Sequence, residues 1–250
     1  MTQVTPGFHL RLLDRFELRR GERVIPVTTG PQRLITFLAL HNRLLQRGHV
    51  AGVLWPEVPT DRANANLRAS IWRLPAASRA IIELSLRYIK LGPDVSVDIT
   101  MAVALAQRLL DRSRDCPDSD LSGEARSVLS ADLLPTCYDD WALVECERFH
   151  QLRLHALEAL CERLTAAERY GEAVDAGLAA VSGEPLRESA HRALIKAHIA
   201  EGNFVEARQQ YDLCRRIVRD ELGIEPSASL RRLMLASLPA RTSMSMAASG

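Results

Sequence analysis

The hydrophobic period changes along this chain, and the order of the changes restricts the fold more than any single motif does. Phe8–Leu13 (FHLRLL) and Phe16–Arg19 (FELR) alternate apolar and polar residues, and Val24–Val27 (VIPV) follows Arg20-Gly21-Glu22. A period of two between charged or glycine turns predicts short antiparallel strands. Pro26 has no N–H to give to a ladder, so the third strand is expected to be an edge or to end early. The period then becomes helical. GPQRLITFLALHNR puts Leu34, Ile35, Phe37, Leu38 and Leu40 on a core face, with Pro31 in the first turn, where its missing donor costs nothing. RGHVAGVLWP predicts a short helix stopped by Pro56. PTDRANANLRASIWRLP predicts a third, capped by Thr60 or Asp61, ended by Pro75 and buried along Leu67, Ile71 and Leu74. IIELSLRYIKLGPDVSVDI alternates again and predicts a closing hairpin.

From Asp98 onward the period is 3.6 almost throughout. ITMAVALAQRLLDR predicts one helix, RDCPDSDLSG a polar loop, ADLLPTCYDD an irregular stretch, and a long helix begins at Trp141 and reaches about Tyr170. Next comes a repeat with an offset of 34 residues: Leu160, Ala166, Tyr170, Glu172, Ala173, Gly177 and Ala180 return as Leu194, Ala200, Phe204, Glu206, Ala207, Tyr211 and Cys214. That period, with small residues where paired helices meet, is the mark of tetratricopeptide-like helical hairpins. One hairpin cannot bury its own face, so Pro226–Leu238 is expected to cap the stack. The reading is therefore α+β, predominantly α. It comprises an N-terminal winged helix-turn-helix over residues 8–98, a tetratricopeptide-like α-helical domain over 99–238, and a disordered tail over 239–250.

Charge separates the same halves. Residues 1–98 hold 14 Arg or Lys against 8 Asp or Glu, a net +6, whereas 99–250 hold 18 against 23, a net −5. A basic half joined to an acidic one predicts one part that meets a polyanion. No apolar run is long enough to span a membrane, and the N-terminus lacks the pattern of a secretory signal. Five cysteines without a CxxC pair argue against a disulfide framework and a zinc site. A cytoplasmic protein with reduced thiols is expected.

Strands, three helices and a hairpin, in that order, are the layout of a winged helix-turn-helix, whose last helix enters the major groove. From Arg62 through Leu74 there is no Asp or Glu. An acid-free face is required there because phosphates flank every base edge. Arg68 and Arg73 are the candidates for reading base edges, with Asn64 nearer the helix start, since Arg pairs with guanine and Asn with adenine bidentately. Ala69 and Trp72 share the outer face, where Trp72 could pack on an adjoining domain, stack on sugar-phosphate or cover the helix end. Arg62, Arg87 and Lys90 are candidates for phosphate contact.

Other constellations carry less. Glu188-x-x-His191 has the spacing of a bundle metal site but no partner motif, and reads as a local helix pair. His191 and His198, seven apart, read as packing residues. Asp139-Asp140 before Trp141 reads as an N-cap, and Cys146 and Cys161 as inert core thiols. No phosphate loop, GxSxG, HExxH or Gly-rich dinucleotide loop is present. No cofactor, no metal and no enzymatic activity are expected.

The segments LLPTCYDDWALVECERFHQLRLHALEALCERL and EPLRESAHRALIKAHIAEGNFVEARQQYDLCRRIVRDELGIEPSASLRRL resemble the bacterial transcriptional activator domain. VLWPEVPTDRANANLRASIWRL resembles the DNA-binding core that precedes that domain in the SARP family of actinobacterial antibiotic-pathway regulators. The resemblance spans roughly residues 8–238. It implies an OmpR-like DNA-binding domain whose base-facing positions are Arg68, Ala69, Trp72 and Arg73. It also implies binding to direct repeats in double-stranded DNA by two protomers side by side, and contact with RNA polymerase holoenzyme including its sigma factor. Two departures bear on the sequence read. Pro75 follows Arg73-Leu74 where the family often adds further arginines, and the wing tip is Ser85-Leu86-Arg87 where the family often has glycines. The competing expectation is a tetratricopeptide-type protein- or peptide-binding scaffold without DNA binding. The short joint Gly92–Ile99, with Val95, Val97 and Ile99 alternating, predicts a fixed interface and not a tether.

Overall fold

A computed structural model describes residues 7–113 and 115–237; the proposed tail at 239–250 lies outside the described residues. The fold is α+β and predominantly helical. Two compact units divide the chain: one holds the described residues up to Arg108 together with Ala131–Arg153, the other holds Leu109–Ser130 and the described residues from Leu154.

In the first unit β1 (Phe8–Arg11), β2 (Glu17–Arg20) and β3 (Arg23–Val24) form a meander. β3 is an edge strand and stops before Pro26, as the missing proline donor requires. Three helices follow: α1 (Thr29–His41), α2 (Arg47–Leu54) and α3 (Thr60–Trp72), with α3 packed on both others. Leu34, Ile35, Phe37 and Leu38 of α1, Leu54 of α2 and Leu67 of α3 are sealed from solvent. Each such side chain contributes about 1.5–3 kcal/mol of apolar transfer.

The buried line of α3 runs Ala63, Leu67, Ser70, Leu74. Ile71, expected in that line, is only half-buried. Ser70 takes the place because α1 comes close: a Cβ on Gly30 would lie 3.2 Å from the Ser70 hydroxyl oxygen, leaving no room for a longer side chain. The N-cap of α3 is Pro59, without a side-chain cap bond, and not Thr60 or Asp61.

The second alternating stretch does not form a single hairpin. β5 (Ile82–Leu84) and β6 (Tyr88–Leu91) do pair, and β6 also pairs with a two-residue strand, β4 (Leu45–Gln46), placed between α1 and α2. β7 (Val95–Val97) instead leaves the hairpin and lies parallel to β1, with Phe8 opposite Val95 and Leu10 opposite Val97. Alternation reports a half-buried strand but not its neighbour, which only the long-range pairing decides. Asp98, at the start of α4 (Asp98–Leu110), closes this edge: its carboxylate accepts the amides of Leu12 at 2.9 Å and Leu13 at 3.0 Å. The stretch read as irregular before Trp141 returns to the same place, where Leu133 bridges Leu13 and the Leu134 amide donates to the Leu12 carbonyl at 3.0 Å.

The second unit is helical. It holds α5 (Gly123–Ser130), the later part of α6 (Asp140–Ala166), α7 (Tyr170–Gly183), α8 (Glu188–Glu201), α9 (Phe204–Leu222) and α10 (Ala228–Ser237). α5 follows the polar loop, in a stretch to which no element was assigned from the sequence, and Tyr170 begins α7 instead of ending α6. The break is at Glu168, whose positive φ of 60° cannot continue a helix. The 34-residue offset has a physical counterpart, since Tyr170 and Phe204 open α7 and α9. Leu160 and Leu194, Ala173 and Ala207, and Ala180 and Cys214 are each fully buried. α8 packs on both α7 and α9, and α10 packs on α8 and α9 through Leu230 and Met234.

Candidate nucleic-acid interface

The period-two hairpin and the helix that carries the acid-free run meet in the first unit. The loop Ser85-Leu86-Arg87 joins β5 to β6 and is held by the Ser85 amide donating to the Tyr88 carbonyl at 2.9 Å. The Arg47 amide donates to the Arg87 carbonyl at 2.9 Å, so the first residue of α2 is tied to the hairpin tip. These bonds and the packing of α2 on α3 define a cleft of about 550 Å³ lined by Gln46, Arg47, Gly48, Asn64, Leu67, Arg68, Leu86, Arg87 and Tyr88. No carboxylate is among its walls.

Of the residues singled out from sequence, Asn64, Arg68 and Arg87 come together on this cleft. Arg62 is exposed on the first turn of α3 and is not a lining residue. Ala69 is half-buried on the helix flank. Trp72 is 76% exposed at the end of α3, and Arg73, also exposed, is its C-cap, with its amide on the Ala69 carbonyl at 2.9 Å. Lys90 stands apart: its ammonium pairs with Glu83 across the hairpin at 2.8 Å, and it lines a separate cleft of about 400 Å³ with Arg43, Ser96 and Thr100.

Arg47 did not emerge from the sequence, although it sits beside Arg68 and Arg87. Its signal was a basic residue opening a short helix, and only the strand β4 just before it shows which way that helix begins. Arg43, Arg47, Arg62, Arg68, Arg73, Arg79 and Arg87 have no ion pair among the described residues. By contrast, arginines of the second unit such as Arg126, Arg169, Arg187, Arg215 and Arg219 are paired with carboxylates. The basic excess of the first half is thus an uncompensated surface around α2, α3 and the hairpin, suited to a polyanion.

The remaining candidates resolve into structural roles. Glu188 accepts the Ser227 amide at 2.9 Å and so anchors the chain just before α10. His191 is fully buried, with Nε2 on the Pro185 carbonyl at 2.9 Å and Nδ1 accepting from the Gln210 amide at 2.7 Å. Burial holds the imidazole below its ordinary pKa, against the smaller opposing effects of the Pro185 carbonyl and of the Glu188 charge one helical turn away. Among the described residues no group of His, Cys, Asp and Glu could hold a metal ion. Burial pushes the thiols of Cys161 up to about 12 and of Cys146 and Cys214 to about 11. Among the described residues no helix is long and apolar enough to cross a membrane.

Residues 97–237 match the bacterial transcriptional activator domain family. The chain is similar to the regulatory protein AfsR of Streptomyces coelicolor, 28% identical over 225 residues, covering 86% of this chain and 22% of that protein. It is also similar to AfsR of Streptomyces griseus, 25% identical over 221 residues, covering 86% of this chain and 23% of that protein. The chain thus spans under a quarter of the length of these relatives. Its fold is similar to that of Mycobacterium tuberculosis EmbR, solved in complex with a low-affinity phosphopeptide: the TM-score is 0.72 at 20% identity, over 92% of this chain and 64% of that one. The chain belongs to the bacterial transcriptional activator domain family.

Proposed function

We propose that this chain is a sequence-specific DNA-binding transcriptional activator whose residues 8–98 act as an OmpR-like winged helix-turn-helix. α3 is the recognition helix, and the β5–β6 hairpin is the wing. The observation that carries the reading is the carboxylate-free cleft where Arg47, Arg68 and Arg87 converge without ion-pair partners. Unpaired guanidinium groups on a protein surface are strongly hydrated unless a polyanion replaces their water, and phosphate contact releases counterions in exchange. Arg68 and Arg73 read base edges, with Asn64 beside them. Arg62, Arg87 and Lys90 hold phosphates and fix register, Lys90 after release from Glu83.

In this reading the tetratricopeptide-like helices of 99–238 are the activating part. Two protomers lie side by side on direct repeats upstream of biosynthetic promoters. The helical domain meets RNA polymerase holoenzyme, including its sigma factor, in the cytoplasm and on the nucleoid. No enzymatic step is assigned. The test is selection of duplexes from a random library at near-physiological salt. A motif recovered in tandem about one helical turn apart is the expected outcome. No motif, with no binding even at low salt, overturns the reading in favour of a protein-binding scaffold.

A further inference from the structure

The first compact unit is not confined to the expected DNA-binding residues: Ala131–Arg153, which lie inside the activator-family match, belong to it as well. The contact that ties them in is specific. Arg33 of α1 donates through Nε to Asp139 Oδ2 at 2.8 Å and through its terminal nitrogen to Asp139 Oδ1 at 2.7 Å. The same terminal nitrogen donates to the Leu54 carbonyl at 2.9 Å. Asp139 immediately precedes α6, and two residues on, Trp141 packs edge-on against Phe37 of α1 at 5.2 Å between ring centres.

The place of the third bond matters. Leu54 is the last residue of α2, and its carbonyl is one of the orphan acceptors of a helix end. The chain turns there into α3. Arg33 therefore fixes three things at once: α1, the corner between α2 and α3, and the start of α6. A bidentate guanidinium–carboxylate pair, about a quarter exposed on each side, holds direction as well as distance.

We infer that the Arg33–Asp139 pair is a positioning device by which the activator segment sets the α2–α3 corner for DNA, so that residues 131–153 complete the DNA-binding unit. The inference rests on the DNA-binding reading above. Neither residue lines the cleft of Arg47, Arg68 and Arg87, so both act through the backbone of α2 and α3 and not by touching DNA.

The test opposes two signs. Asp139→Asn removes a negative charge from a DNA-binding unit, and electrostatics alone makes binding tighter or leaves it unchanged. Positioning makes it weaker. With full-length chain and the selected duplex, Asp139→Asn is expected to lower affinity roughly two- to thirtyfold, the span of long-range coupling effects. Binding to scrambled duplex should barely change, and the slope of log K on log salt should stay as in wild type. Arg33→Lys, which keeps the charge and loses the fork, should behave likewise and remains informative if the aspartate variant folds poorly. Unchanged or tighter binding by Asp139→Asn overturns the inference. So does an equal loss by Arg33→Lys on scrambled duplex, because Arg33 would then be a phosphate contact. No binding by wild type is a different failure, that of the DNA reading itself, and takes the inference with it.

Discussion

A Cβ added to Gly177 would stand 3.0 Å from the Cβ of Leu194 and 3.2 Å from its Cα. α7 and α8 meet backbone to backbone at this point, and Leu194 is fully buried beneath it. The neighbour to be displaced includes main chain and cannot step aside cheaply. Gly177→Val is expected to destabilise by about 1–3 kcal/mol, the ordinary cost of overpacking, despite the gain from removing a helical glycine. Urea unfolding of the two proteins measures it.

Asp98 accepts two backbone amides, those of Leu12 and Leu13, across more than eighty residues of sequence. Asp98→Ala orphans both donors at the edge where β1, β7 and α4 meet. A loss of about 1–3 kcal/mol is expected from unsatisfied donors of this kind. Asp98→Asn, which keeps an acceptor oxygen, should lose less; thermal melts of the three proteins separate the cases.

His191 gives the fold a pH dependence of known sign. Its contacts require the neutral ring: Gln210 can only donate to Nδ1, so Nε2 carries the proton given to Pro185. Burial, first among the causes, lowers its pKa from 6.5. The unfolded chain takes up a proton as pH falls through about 6.5 while the folded chain does not. The contribution is complete above that pH and is lost as pH falls below it. Wild type should lose more stability between pH 7.5 and 5.5 than His191→Gln, by denaturant midpoints at the two pH values.

Arg68 and Arg87 line one cleft but are expected to answer differently to substitution. Arg68→Ala should lose about 1–3 kcal/mol on the selected site and relax preference at one base. Arg87→Ala should weaken all duplexes alike and reduce the salt slope by about one. Equal loss of Arg68→Ala on scrambled DNA would make Arg68 a phosphate contact. Arg47→Ala belongs in the same titration, since it shares the cleft.

Thiol labelling should follow burial. With pKa values of about 12 and 11, Cys161 and Cys214 present almost no thiolate at pH 8 and are shielded by their neighbours. A disulfide reagent is expected to leave both unmodified in the folded chain and to reach them only in denaturant. Mass spectrometry of the labelled peptides reads the result.

Local periodicity was enough for the element types: the meander, the three helices, the second and third of them stopped near Pro56 and Pro75, and the α7 and α9 repeat are all legible in the sequence. It was enough too for the composition of the candidate interface, because an acid-free run such as Arg62–Leu74 is a property of sequence alone. Periodicity failed where a short segment answers to a distant one. Val95 and Val97 alternate in the same way whether they pair with β6 or, as they do, with β1. Arg47 looked like any helix-opening cation until β4 tied it to Arg87.

What the amino-acid order determined by itself was therefore local and additive: hydrophobic period, helix stops, the 34-residue offset and the basic excess of the first half. What only the tertiary structure decided was the pairing of single polar groups over long separations. Asp98 with the amides of Leu12 and Leu13, Glu188 with Ser227, and Asp139 with Arg33 are of this kind. A carboxylate carries no local signal of its partner. Exposed, it would gain little from any cation, and its choice is made when packing brings one donor to hydrogen-bonding distance and withdraws the competing water.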